Sequence, residues 1–367
     1  MSNGFRLLTL AVAGMALAGC GGSGSGGGSA GADGTGTVSL AATDAPVDDA
    51  MEVNVTFDAV VLKPAGGPME TFEFDEPKTI NLLDFTGEDS SLILDDTTVP
   101  AGEYEFLRLF VAPGADNGSS VVTSEGTFDL FIPGQQNRPD QSQGAPRFLQ
   151  LNTGEDELVV PNGGDANFTI DFDLRKGLTD PQNSDYYLLR PALRLVNNVN
   201  VGTIQGNVAT ELTMREGCGD AQIGNQVYLY ESADAVAGDV NVTESSGMED
   251  DPPEPDHATD DTDGNTDEVN PITTATVSEQ DDGDGMLDFT IGFVAEGEYT
   301  IAFTCMANDD MPETDEPIVF DPVANVTVTA DGNPEEVNFE SDGGVSVNGE
   351  IVVDGGGSGS AETTTEN

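Results

Sequence analysis

One histidine, three cysteines and 68 acidic residues carry whatever chemistry this chain performs. The single histidine, His257, sits inside the acid- and proline-rich stretch Met248 to Pro271, where it is solvated, so Ser-His-Asp and Cys-His catalysis are disfavoured. Asp171 and Asp173 fall on one face of a strand about 7 Å apart, a separation that would suit an inverting glycosidase pair. No cleft is predicted around them, and the leading reading is the wet side of an amphipathic strand. Two further runs could gather a hard cation: Asp261, Asp263, Asn265 and Asp267 surround Gly264, and Asp281, Asp282, Asp284 and Asp288 surround Gly283 and Gly285. Such spacing lets oxygen ligands converge around a turn. Neither run fits an EF-hand, because counting back from the turn glycine puts Thr259 or Gln280 where Asp is required. Solvated acidic loops are the leading reading and calcium the alternative. No other cofactor is expected. Asp44, ahead of Ala45-Pro46, reads as a turn residue bonding its own backbone rather than as a ligand, and Arg190 and Arg194 should pair with carboxylates.

The cysteines divide by position. Arg6 and residues 7 to 18, LLTLAVAGMALA, supply a basic start and an apolar core of signal-peptide length. A membrane-spanning helix would need about 20 such residues. Leu17-Ala18-Gly19-Cys20 follows at once and resembles the lipobox of bacterial lipoproteins. The resemblance implies a signal peptide over 1–19, a Cys20 thiol alkylated by diacylglycerol, and a mature chain held by several acyl chains, each buried methylene contributing roughly 0.8 kcal/mol. An ordinary cleaved signal with an incidental cysteine is the competing reading. Gly21 stands where such families often place the Asp that retains them at the inner membrane, which favours the outer membrane, with the body facing periplasm or cell surface. Residues 20–36 are otherwise a Gly/Ser-rich flexible tether. With Cys20 lipidated, Cys218 and Cys305 are an even pair in an exported protein, which favours a disulfide. Cys218 lies in a glycine-flanked loop, Cys305 on an inward strand face, and closing that loop would contribute roughly 4 to 5 kcal/mol. Zinc would need further thiolate or imidazole ligands that are not available.

Eleven basic residues against the 68 acidic ones give a formal charge of −57, and no Lys or Arg follows Arg215. Such a chain repels nucleic acid and anionic lipid headgroups, and its self-repulsion needs salt for relief. It reads as an acidic protein of a marine or halophilic setting.

The elements that must position these residues are strands. Two-residue alternation recurs, with Gly, Pro, Asn and Asp between the runs. Val53, Val55, Phe57, Ala59 and Val61 are predicted on one face of a long strand, and Phe168, Ile170, Phe172 and Leu174 on one face of another. Val227 and Leu229, then Leu287, Phe289, Ile291 and Phe293, then Tyr299, Ile301, Phe303 and Cys305 repeat the pattern. Apolar faces need a second layer. The expected fold is all-β: two tandem antiparallel β-sandwiches, transthyretin-like or Ig-like. The first covers 37–198 and the second 199–354, with a disordered acidic insertion over 248–271 and a flexible tail over 355–367. Ala101-Gly102-Glu103-Tyr104 and Glu296-Gly297-Glu298-Tyr299 echo each other, the ring expected to pack and the hydroxyl to reach water.

Thr43-Asp44-Ala45-Pro46, Leu82-Leu83-Asp84-Phe85, Pro100 to Tyr104 with Arg108, the strand ending at Asp173, and Tyr187-Leu188-Leu189-Arg190-Pro191 together resemble the bacterial lipoprotein family with domain of unknown function 4382, over residues 37–198. The resemblance implies an exported, usually lipid-anchored domain without assigned activity. Residues 199–345 resemble a carboxypeptidase-regulatory or transthyretin-like sandwich through Gly202 to Val208, Val227 to Tyr230 and Gly297-Glu298-Tyr299. The expected function is that of a non-enzymatic envelope protein binding or adhering to a glycan or protein, with a calcium-dependent structural role as the alternative and a carbohydrate-active enzyme behind both.

Overall fold

The computed structural model describes residues 34–352 except 46, 48–49, 135–147, 155–156, 182–183, 216, 219–223, 242–267, 280–286, 313 and 315. Strands make up nearly all of its regular structure. In the first half a four-stranded sheet runs in the order Leu193–Asn197, Asp165–Asp173, Thr35–Ala45, Ser91–Pro100. It packs on a nine-stranded sheet centred on Glu52–Pro64 and Gly102–Val111. Alternation sends Val38, Leu40 and Ala42 from one sheet, and Phe168, Ile170 and Phe172 from the same sheet, into a shared core with Val53, Val55 and Phe57 from the other. Phe57 and Phe172 meet across the layers with ring centroids 6.1 Å apart.

The sheets are mixed, which corrects the antiparallel expectation. Thr35–Ala45 runs parallel to Asp165–Asp173, Tyr186–Leu189 parallel to Gly126–Phe131, and Val201–Val208 parallel to Glu335–Phe339. These partners are far apart in sequence and joined through other strands, so no tight hairpin imposes opposite directions.

A second correction concerns Glu52–Pro64. Its register against both neighbours shifts between Phe57 and Ala59. One extra residue at such a bulge exchanges the two faces beyond it. The core therefore takes Val53, Val55 and Phe57 and then Val60 and Leu62, while Ala59 and Val61 turn outward. There Val61 lies beside Arg108, whose guanidinium stacks 4.4 Å from the Phe106 ring and 4.2 Å from the Phe148 ring.

In the second half a sheet containing Leu287–Ala295, Val201–Val208 and Glu335–Phe339 faces one ordered Thr273–Thr276, Gln226–Glu231, Gly297–Thr304, Val323–Val328. Ile204, Val227, Leu229, Phe289, Ile301, Phe303 and Phe339 fill the space between. Tyr228 and Tyr230 point to the other face of their strand, yet both are fully buried, in a small cluster with Val240, Ala302 and Ala307 that Phe320 packs against. Core residues of the first half extend to Leu195 and those of the second begin at Ile204.

The two central strands of the four-stranded sheet, Thr35–Ala45 and Asp165–Asp173, are buried on both sides over much of their length. Their outward residues Ser39, Ala41, Thr43, Thr169, Asp171 and Asp173 are all under 10% exposed. The wet face expected for Asp171 and Asp173 is thus a seam, because strands of the second half pack against it.

Candidate functional site

Basic side chains of the first half hold the seam by reaching carbonyls of the second. Arg194 donates through Nη2 to Asp171 Oδ2 at 2.7 Å and through Nη1 to the Phe293 carbonyl at 3.4 Å. Asp173 caps the single helical turn Leu174–Gly177 by accepting from the Lys176 N–H at 3.1 Å, and pairs with Lys176 Nζ at 3.1 Å. Lys176 Nζ also donates to the Pro271 carbonyl. Arg175 is buried and donates through Nη1 to the Ala307 carbonyl at 2.7 Å. At Gly292 a Cβ would stand 2.1 Å from the Gly87 carbonyl oxygen, so only glycine allows the loop of the first half to come this close. Next to that contact Thr203 donates to Glu88 at 2.7 Å.

Between these contacts the seam opens into a cleft of about 760 Å³ walled by both halves. Thr43, Asp44, Glu88, Asp89 and Asp171 come from the first half, and Thr274, Thr276, Ser278, Asp288 and Thr290 from the second. Apolar surface is confined to a few side chains, including Val47, Leu83 and Ile291. Thr43 is fixed by donating to the Phe85 and Asp89 carbonyls at 3.0 and 2.9 Å. Thr274 is buried, and its hydroxyl has no hydrogen-bond partner within the chain. Among the described residues, five carboxylate side chains and no Lys, Arg or His line the cleft, and Arg194 pairs with one of the five, Asp171, at 2.7 Å. The lining offers hydroxyl and carboxylate oxygens, groups that can accept hydrogen bonds from O–H or N–H donors.

Of the residues singled out in the sequence, Asp44, Asp171 and Asp288 line this cleft, and Asp173 does not. Asp44 lies within a strand, buried, its N–H bonded to the Phe85 carbonyl. Asp171 is committed to Arg194 and Asp173 to the helical turn. The two do not form a carboxylate pair facing one substrate. Cys218 and Cys305 are joined in a disulfide, with Cα atoms 5.2 Å apart. Cys20, Asp261, Asp263, Asn265, Asp267, Asp282 and Asp284, and with them the lipidation and calcium readings, lie outside the described residues.

No local pattern marks the group formed by Asp239, Asp310 and Glu316, whose carboxylate oxygens lie within 4.8 Å of one another. Their oxygens are held by the chain itself. Asp310 accepts from Tyr228 at 2.6 Å and from the Val240 N–H, Glu316 accepts from the Met311 N–H, and Asp239 accepts from the Glu316 N–H. Burial pushes the Asp310 carboxyl up to about 6, against the pull of Tyr228, Arg175 and the Val240 N–H. The cleft escaped sequence reading because its walls come from stretches far apart in the chain.

Residues 35–191 match the family model described as Domain of unknown function (DUF4382). No curated protein matches the chain. Similar solved structures include the fimbrial anchor protein Mfa2 from Porphyromonas gingivalis, 8% identical over 86% of this chain and 98% of that one, with a TM-score of 0.19. A candidate cell adhesion protein from Bacteroides fragilis is 9% identical over 90% of this chain and 99% of the other, also with a TM-score of 0.19. At such scores the likeness carries no argument about fold or function.

Proposed function

We propose that this chain is a lipid-anchored protein of the cell envelope that binds or adheres to a ligand without transforming it. The observation that carries the reading is the polar cleft shared by the two halves, in a seam that Arg175, Lys176 and Arg194 bridge. Rigid scaffolding around a polar recess suits recognition. The N-terminal features supply the address: signal peptide over 1–19, diacylglyceryl thioether on Cys20, a flexible tether ending where the strand Thr35–Ala45 begins, and an outer-membrane position facing periplasm or cell surface. The body beyond it comprises a first sandwich over 37–198 and a carboxypeptidase-regulatory-like sandwich over 199–354. Partners are an envelope glycan or protein, not nucleic acid, since a charge of −57 repels polyanions.

The test combines address and binding. Mass spectrometry of the native protein should show acylated Cys20, and Cys20→Ser should release the protein from membranes without detergent. The labelled Cys20→Ser protein should be retained saturably on washed envelope fragments. Unmodified Cys20, or robust glycan hydrolysis abolished by Asp171→Asn, would sink the proposal. A saturable calcium titration on which folding depends would move the assignment to calcium-dependent structural support.

A further inference from the structure

We propose that the joint between the two halves is proton-sensitive: protonation of Asp310, in the second half, loosens the hold of Arg175, from the first, so that the two halves part more readily in acid. This holds whatever the cleft receives.

One turn ties the two side chains together. Arg175 is buried and donates through Nη1 to the Ala307 carbonyl at 2.7 Å. The same carbonyl accepts from the Asp310 N–H at 3.4 Å, and the Asp309 N–H closes the turn on the Met306 carbonyl at 2.8 Å. Ala307 is itself held, its N–H donating to the Gly224 carbonyl at 3.1 Å. Asp310 anchors the far end of the turn, because its carboxylate accepts from the Tyr228 hydroxyl at 2.6 Å and from the Val240 N–H at 3.0 Å. A buried guanidinium and a buried carboxyl thus meet at one short turn, from opposite sides of the joint.

The half that buries Asp310 decides the sign. Tyr228 and Val240 belong to a small cluster with Tyr230, Ala302 and Ala307, all of the second half. The burial that disfavours the charged carboxyl is therefore supplied by its own half. From the first half comes one charged group, Arg175, whose positive charge favours the carboxylate. Linkage makes the effect reciprocal: what Arg175 contributes to ionising Asp310, the ionised Asp310 returns to holding Arg175. Among the described residues, the other charged and titratable groups around the carboxyl are all of the second half. They are Tyr228 and Tyr230 on one strand, Asp239 beside Val240, Asp309 and Glu316 on its own loop, and Glu268, which acts on Tyr230. They set where the proton binds without reaching across the joint. Ordinary carboxylates titrate near 4, so Asp310, pushed up to about 6, changes charge in a window of its own. The single histidine can titrate there too, and Asp310→Asn separates the two.

The experiment places a thiol in the joint of the full Cys20→Ser chain. Thr169 is fully buried on the outward face of Asp165–Asp173, and its hydroxyl has no hydrogen-bond partner among the described residues. Thr169→Cys therefore supplies a thiol that reacts when the halves part. Its rate of reaction with a dipyridyl disulfide, divided at each pH by the rate in the urea-unfolded chain, reads the open population. That ratio should be about threefold higher at pH 5 than at pH 7.5. Asp310→Asn and, separately, Arg175→Met should abolish the pH dependence. Arg175→Met should also raise the Asp310 titration midpoint, followed by NMR of its carboxyl carbon, by about half a unit, the linked equivalent of threefold. A ratio independent of pH in the parent, a dependence that survives Asp310→Asn, or an Asp310 midpoint unmoved by Arg175→Met overturns the inference. If Arg175→Met does not fold, the Asp310→Asn comparison decides alone.

Discussion

Tyr104 and Tyr299 make the same hydrogen bond in the two halves: each phenol donates to the carbonyl four residues upstream, Pro100 at 2.6 Å and Ala295 at 2.8 Å. The echo between the two Gly-Glu-Tyr turns is therefore a shared corner in which the ring fills the core and the hydroxyl ties down the preceding strand. Neither hydroxyl is left to water as the sequence suggested. Burial, with Glu70 adding to it, pushes the Tyr104 phenol up to about 12, and burial raises Tyr299 as well.

Removing either hydroxyl should cost about 1 kcal/mol. Tyr104→Phe and Tyr299→Phe keep the ring, so urea denaturation should show shifted midpoints with unchanged slopes. The raised phenol also sets an alkaline limit. Its stabilisation is complete below pH 10 and is lost as pH rises through about 12. A Tyr104→Phe variant should lack that component, and an identical alkaline profile would count against the raised phenol.

Arg175 couples the halves through the Ala307 carbonyl. Arg175→Met should lower stability by about 2 kcal/mol, the scale of a charge-assisted hydrogen bond. Scanning calorimetry should then resolve the unfolding of the two halves as more widely separated transitions. A variant that unfolds as the parent does would show that the contact couples nothing.

Asp310 sets an acid-side dependence. Its folded carboxyl, raised from 3.8 to about 6 chiefly by burial, contributes stability that is present below pH 3.8 and lost as pH rises through about 6. Asp310→Asn still accepts from Tyr228 but does not titrate. The stability of the parent minus that of the variant should fall between pH 4 and pH 7, by up to about 3 kcal/mol. A constant difference across that window would refute the shift.

The Cys218–Cys305 bridge spans 87 positions. Replacing both with Ser should cost roughly 4 to 5 kcal/mol on the chain-entropy account. Hydrogen exchange should rise around Val227 and Phe303 while the core around Phe57 and Phe172 stays protected. Uniform loss of protection in both halves would contradict this localisation.

Alternation made several inward faces readable from sequence, among them Phe168, Ile170 and Phe172, and Tyr299, Ile301 and Phe303, because each of these strands has one face in a core. It misled at Glu52–Pro64. Ala59 and Val61 continue the apolar alternation through the bulge, so nothing in their types marks the exchange of faces. Asp171 and Asp173 misled for a different reason. Charged residues on alternate positions normally face solvent, and here Arg194 and Lys176 compensate them beneath a second layer. That compensation is a tertiary fact with no local signature. The cleft was illegible on the same ground, since Asp44 and Asp288 come to line one recess only when the two halves pack together.

The position of Leu193–Asn197 in the first sheet has a practical consequence. The family match stops at Pro191, yet this strand lies along Asp165–Asp173 and contributes Leu195 to the interior. An excised fragment ending at the family border would strip a flank from the sheet and leave unpaired amides ready to recruit a neighbour's backbone. Recombinant pieces cut there should clump, whereas those carried through Asn197 should stay dispersed.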